Sequence, residues 1–338
     1  MKTVEVIAGI VIAINILIPP HLCCDLVPNF DGSCWDLVSQ PFITYDESKF
    51  GPLIEGAGVN PTGDIFAVDY GSSKTTFQLG QVSPSQKLFY RDGNESSLLN
   101  GIRFLNSKVA FVADAVNHRV LKLTLNERDQ LRNENYCSDS RMIQPNDITL
   151  SSDGTIFTSG MKWLPDTNSS NGDIWSCRPD GTVQRLEVLG RTNGIDLSPD
   201  EKTLYVSESF NRGGTPYIQR IWKYNVDTAA GTTSNKLLFA DFDSLDGSVT
   251  SDIDGMKTDT DGNLFVARYG GRHIAILSPA TGKIVGKIQV SFPNPTNLEF
   301  GGTDGRTLFI VGQCRREGRG CVDRIEMVTP GRTWSMLQ

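Results

Sequence analysis

A chain of 338 residues with 33 Gly, 16 Pro, 21% charged residues and a formal net charge of −7 is long enough for one large domain or two ordinary ones. That density of Gly and Pro excludes a coiled coil, and the ordinary charge content excludes a disordered chain. The acidic balance excludes a nucleic-acid surface, because the only basic cluster is the short Arg315, Arg316, Arg319 group, read as an exposed loop.

At the N-terminus, Lys2 precedes an apolar run from Val6 to Ile18 broken only by Asn15. The run is too short to span a bilayer and has the form of a signal h-region, despite Glu5 before it. Residues 1–24 are therefore predicted to be a signal peptide and residues 25–338 one secreted domain without stable membrane insertion. The sequons at Asn94 and Asn168 fit that route as N-glycosylation sites, whereas Asn60 and Asn294 precede Pro. Cys314 and Cys321 flank a short Gly-containing segment between two apolar strands, so they are expected to form a disulfide in an oxidising compartment. Cys34, Cys137 and Cys177 cannot be paired from sequence. Three His residues and no C-x₂-C pair exclude a structural zinc site.

From about residue 48 one unit recurs: a small polar residue, an apolar stretch, a turn, then a strand. Its copies begin at Glu55, Asn100, Asn146, Asn193, Asp254 and Asn297, with gaps of 45, 46, 47, 61 and 43 residues. A four-stranded propeller blade takes roughly 40–50 residues, so six copies predict an all-β, six-bladed β-propeller with four-stranded antiparallel blades. The long gap calls for an insertion of one hairpin, which Gly213 to Pro216 and Thr228 to Ser234 can supply. Asp36 to Tyr45 is apolar enough to complete the last blade.

In a propeller the first strand of each blade lines the central channel, so the six repeat starts form a ring at one end. Every member carries a side-chain oxygen, and two are carboxylates, which is the donor set of a hard cation. Taken singly, Asn100-Gly101 or Asn193-Gly194 reads as a turn. Recurrence at one repeat position before six matching strands is what distinguishes the ring.

The segments Asn193-Gly194-Ile195-Asp196-Leu197-Ser198-Pro199-Asp200, Asp254-Gly255-Met256 with Asp261 to Ala267, and Thr296-Asn297-Leu298-Glu299-Phe300 resemble the family of gluconolactonases, regucalcin (senescence marker protein) and luciferin-regenerating enzyme. Diisopropyl fluorophosphatase is a more distant relative of the same architecture. The resemblance implies that Glu55, Asn146, Asn193 and Asp254 bind one catalytic divalent ion, with Ca²⁺ expected, and that Asp147 is the acidic residue beside it. The family's Pro and aromatic after Glu-Gly are replaced here by Ala57, Gly58 and Val59. Its sugar-binding Arg is unmatched, since Gln144 and Pro145 precede Asn146.

The activity expected is hydrolysis of a small-molecule lactone or related ester by a monomer. Asp254 serves as ligand and base, and Asp147 is the second candidate base. Asn146 and Asn193 cannot titrate and are assigned to coordination; Asn100 and Asn297 are assigned to substrate or water. Two alternatives remain open: phosphotriester cleavage at the same site, and a non-hydrolytic propeller that binds a ligand or steers a cyclisation. His118 and His273 read as surface or packing residues, and a Gly-x-Ser-x-Gly elbow is absent.

Overall fold

Asp-Gly turns such as Asp153-Gly154 and Asp261-Gly262 place glycine at φ +90° and +86°, where other residues are strained, and send the chain straight into a β-branched or aromatic strand. The computed structural model describes residues 36–70, 78–91, 97–126, 131–314 and 318–338. The expected signal peptide, Cys34, the Asn94 sequon, Arg315 and Arg316 lie outside them.

Six inner strands open blades 1 to 6: Ile54–Val59, Leu99–Phe104, Pro145–Leu150, Ile195–Leu197, Asp252–Thr258 and Asn294–Gly301. Within each blade the later strands pair outward in an antiparallel sheet. Each inner strand touches the next around the ring, and that of blade 6 touches that of blade 1. This is the six-bladed β-propeller expected from the repeat.

Ring closure uses the N-terminal segment twice. Gln40–Ile43 pairs antiparallel with Gly320–Glu326 and supplies the outer strand of blade 6. Asp36–Val38 runs parallel to Ile284–Gln289 as a fifth strand on blade 5, which the repeat did not predict. Ser39 between them donates to Asp323 Oδ2 at 2.7 Å, so one short segment ties two blades. The long gap in blade 4 adds no hairpin. Its residues lengthen three existing strands, Thr203–Arg212, Thr215–Asp227 and Thr232–Asp241, and add a short helix, Phe242–Asp246.

Apolar side chains gather into six clusters, one between each pair of neighbouring blades. Phe66 of blade 1 meets Phe104 of blade 2 at 4.7 Å, and Phe265 of blade 5 meets Phe300 of blade 6 edge-on at 5.1 Å. Each such side chain contributes about 1.5–3 kcal/mol by leaving water. Trp222 and Tyr224 pack between blades, in the cluster of blades 3 and 4.

Polar latches repeat at the same junctions. A buried side-chain oxygen accepts a backbone N–H of the chain entering a blade: Asp69 from Gly51, Asp114 from Leu98, Asp173 from Ile143, Glu208 from Gly190, Gln219 from Ile253 and Asp323 from Ser291. Unpaired, the Gly51, Gly190 and Ile253 amides would be costly buried donors.

Two disulfides lie among the described residues. Cys314–Cys321 is the expected one, across the hairpin of blade 6 with Cα atoms 5.2 Å apart. Cys137–Cys177 joins the outer strand of blade 2 to the third strand of blade 3, with Cα atoms 6.1 Å apart.

A C-terminal helix, Arg332–Met336, lies against the inner strands of blades 5 and 6. Arg332 enters the channel from there. Its Nη2 donates to Thr149 Oγ1 at 2.9 Å and Asp196 Oδ1 at 3.2 Å.

Candidate metal centre at the channel mouth

Five of the six inner strands are bulged at the ring position: the register shifts between Glu55 and Gly58, Leu99 and Ile102, Pro145 and Ile148, Ile253 and Met256, and Pro295 and Asn297. A bulge breaks strict alternation and re-aims a side chain. In blade 4 the inner strand begins only at Ile195, two residues after Asn193.

The ring divides into two sets. Glu55, Asn146 and Asp254 are 7% exposed and Asn193 is 8%, whereas Asn100 and Asn297 are 1%. The four residues expected to be ligands thus keep an edge in solvent, and the two expected to meet substrate sit deeper. Asn297 is held there by Asp147 and Lys257.

Asn193 is fixed by its neighbours: its N–H donates to Ser207 Oγ at 2.9 Å, its carbonyl accepts from Ser159 Oγ, and its side chain bonds Asp254. Behind Asp254, Arg191 pairs with Asp252 and donates to Asn211 Oδ1 at 3.0 Å, while Gln219 Nε2 donates to Asp252 Oδ1 at 3.0 Å. These contacts lock blades 4 and 5 around the carboxylate. No hydrogen bond to the described residues engages the side chain of Asn146.

Burial pushes the Glu55 carboxyl up from 4.5 to about 8, with Asp147 adding to it; the Gly56 amide and Lys257 act the other way. Burial, Glu55 and Asp252 hold Asp254 well above the ordinary carboxylate range. Asp254 Oδ1 and Asn100 Oδ1 are buried without a hydrogen-bond partner. Two repelling carboxylates, one with an orphaned oxygen, beside two carboxamides fit a divalent cation bound through oxygen. No group of three or more His, Cys, Asp or Glu suited to a metal occurs among the described residues, so such a site depends on the Asn oxygens.

This arrangement predicts a pH effect with a definite sign. A carboxyl whose folded value is raised binds more protons folded than unfolded, so ion-free protein loses stability as pH climbs from about 4.5 towards 8. A bound cation favours the ionised pair and removes that part of the loss. Thermal melts at pH 5, 6.5 and 8, with chelator and with Ca²⁺, should show a Ca²⁺-induced rise in Tm that is largest at pH 8. A rise no larger at pH 8 than at pH 5 would contradict the coupling.

Asp147, read from sequence as a second base, is fully buried behind the ring. It belongs to a second tier of charge. Arg103, Thr149, Asp196 and Lys257 stand three residues after their ring positions, and Glu299 stands two after its own; all are buried. The sequence signal was a polar residue in the middle of five of the six apolar inner strands. Burial pushes Glu299 up to about 7 against the pull of Arg103 and Lys257.

Tyr70 also escaped the sequence reading. It follows the strand Ile65–Asp69, and its hydroxyl is pushed up to about 12 by burial, then by Glu55 and Asp254. It therefore stays a neutral donor beside both carboxylates. His118 and His273 turn Nδ1 to the carbonyls of Met142 and Gly271, at 2.6 and 2.8 Å.

Residues 97–313 match the model of the SMP-30/Gluconolactonase/LRE-like region. The chain belongs to this family. A gluconolactonase of Zymomonas mobilis is 31% identical over 222 residues, covering 62% of this chain and 60% of that protein. A regucalcin of Xenopus laevis is 27% identical over 146 residues, covering 43% and 45%. The chain thus spans about half the length of the curated relatives it matches. Among solved structures, a luciferin-regenerating enzyme superposes with TM-score 0.68 at 20% identity, covering 87% of this chain and 97% of that one. A calcium-binding regucalcin of Agrobacterium tumefaciens superposes at 0.67 and 15%, covering 88% and 98%. At those identities the likeness carries the SMP-30/gluconolactonase fold.

Proposed function

We propose that this SMP-30/gluconolactonase-family protein is a secreted, Ca²⁺-dependent hydrolase of a lactone or related ester. The observation that carries the reading is the convergence of Glu55 and Asp254 with Asn146 and Asn193 at one channel mouth, where the carboxylates lack a counter-charge of their own. Glu55, Asn146, Asn193 and Asp254 would hold the ion, which when bound would polarise the carbonyl oxygen of the scissile ester and offset the negative charge that grows there.

The chain's own residues do the rest. Asp254 accepts a proton from the attacking water, since its Oδ1 has no protein partner. Asn193 orients Asp254 through their side-chain hydrogen bond. Tyr70 offers a neutral hydrogen-bond donor beside the two carboxylates. Asp147 is assigned to charge balance rather than to the second base, because it has no exposed surface.

The two disulfides support passage through an oxidising compartment, consistent with the leader read from residues 1–24. Among the described residues no helix is long and apolar enough to cross a membrane. The exposed Asn168 sequon is accessible to glycosylation.

The test is metal content and hydrolysis of δ-lactones and aryl esters, measured before and after chelation on protein from a secreting host. One Ca²⁺ per chain with chelator-sensitive turnover is expected. Bound Ca²⁺ with no turnover on either substrate class would refute the hydrolase while sparing the metal centre.

A further inference from the structure

Beneath the mouth, the channel holds six charged side chains, each at most 3% exposed: Arg103, Lys257 and Arg332 against Asp147, Asp196 and Glu299. Three cations thus face three carboxylates, with Arg103 between Asp147 and Glu299. Arg332 Nη2 lies 3.2 Å from Asp196 Oδ1, and Arg103 Nη1 lies 4.0 Å from Glu299 Oε2. Lys257 Nζ lies 3.6 Å from Asp147 Oδ2. Asp147 is the one carboxylate of the three that adjoins an expected ligand, Asn146, and its partner Lys257 is three residues from Asp254.

We propose that Lys257 is a built-in cation that claims Asp147, keeps it out of the ligand set and so sets how tightly the ring holds one divalent ion. The proposal rests on the reading of the ring as a metal centre.

The geometry of Lys257 is specific. It is 1% exposed, and its ammonium donates to Met256 O at 3.0 Å and Asn297 Oδ1 at 3.2 Å. Asn297 Nδ2 in turn donates to Asp147 Oδ2 at 3.4 Å. The other Asp147 oxygen accepts the Ile148 N–H at 2.9 Å and lies 3.7 Å from Arg103 Nη2. Blades 2, 3, 5 and 6 therefore meet through one carboxylate. Gly101 makes the approach possible, since a Cβ there would fall 2.6 Å from Asp147 Oδ1.

Asp147 is also close enough to raise the Glu55 carboxyl, so the ring senses its charge. With Lys257 in place, Asp147 is matched and the ring keeps the two negative charges of Glu55 and Asp254, the complement of one divalent ion. A methionine would fill the volume of Lys257 without its desolvation cost, but would leave Asp147 and Glu299 to share Arg103, so that the cluster gains one net negative charge beside the ring. A unit charge at this depth acts on a divalent ion across low-dielectric protein, so a change of about tenfold or more in affinity is expected.

Calorimetric titration of Ca²⁺ into the full-length secreted protein tests this, using wild type, Asp147→Asn, Lys257→Met and the double variant. Asp147→Asn, which leaves the ammonium unmatched, should weaken binding about tenfold or more. Lys257→Met should tighten it by a similar factor or admit a second ion. The double variant should return to within about threefold of wild type. Melts in chelator report folding; if Lys257→Met does not fold, Asp147→Asn and the charge-balanced double variant still decide. Folded variants that all bind within about twofold of wild type would overturn the role of Lys257 alone. Wild type that binds no Ca²⁺ would overturn the metal centre and this proposal together.

Discussion

Asp254→Ala is expected to abolish Ca²⁺ binding and to lower kcat/KM by about a thousandfold or more, while raising the Tm of the ion-free protein at pH 8. The two effects have one cause. Burial, then Glu55 and Asp252, hold the Asp254 carboxyl well above the ordinary carboxylate range. Ionising it without a cation costs stability; with a cation it supplies one of the two negative charges of the ring. Removing it relieves the cost and removes the charge. Its hydrogen bond from the Asn193 side chain is lost as well, but the Asn193 backbone stays anchored by Ser159 and Ser207. Asp254→Asn separates charge from shape: it keeps an oxygen in place and should lose most of the affinity all the same. Calorimetry for Ca²⁺, δ-lactone turnover and melts in chelator check the set. Full Ca²⁺ affinity in Asp254→Ala would remove this residue from the site.

Arg332→Met should be the most damaging single change outside the mouth, costing about 3–5 kcal/mol, a fall in Tm on the order of 5 °C or more. Arg332 is 3% exposed and reaches Asp196, Thr149, the Leu150 carbonyl and Glu201 at 2.9 to 3.4 Å. Burial pushes the Asp196 carboxyl up, but Arg332, then Lys257 and Arg103, bring it below the ordinary range. With Arg332 gone, a buried carboxylate loses its nearest cation, and the last turn of the chain loses its anchor on blades 3 and 4. Asp196 also accepts from Thr258 N–H at 2.8 Å, so the damage extends to blade 5. Adding Asp196→Asn to Arg332→Met removes the stranded charge and should recover about half of the loss. Denaturation curves in urea at pH 7 measure both. A loss under about 1 kcal/mol in the single variant would mean that the channel end tolerates an open charge.

The number of blades was legible because each blade is a local object. Its four strands follow one another, so a turn, a strand and an oxygen-bearing residue recur at nearly constant spacing from Glu55 to Asn297. The closing strand was legible for the same reason: blade 6 lacked a fourth strand, and the segment Asp36 to Tyr45 is apolar enough to supply it. The ring was legible because six oxygen donors at one repeat position are improbable as unrelated turns.

What the chain order hid is whatever depends on how blades face one another. Cys137 and Cys177 are 40 residues apart, and nothing local marks them as a pair until the outer strand of blade 2 lies against blade 3. Arg103 and Lys257 sit in strands whose alternation would equally suit an exposed face; only closure of the ring puts them on the axis among Asp147, Asp196 and Glu299. Arg332 meets Asp196 across 136 residues of sequence. The sequence by itself determined the repeat, the six-fold count and the oxygen-bearing residues of the ring, because periodicity and side-chain chemistry are local properties. The tertiary structure alone decided which charges neutralise one another in the channel and which two carboxylates are left unmatched, because electrostatic balance depends on distance in space and on exclusion of water.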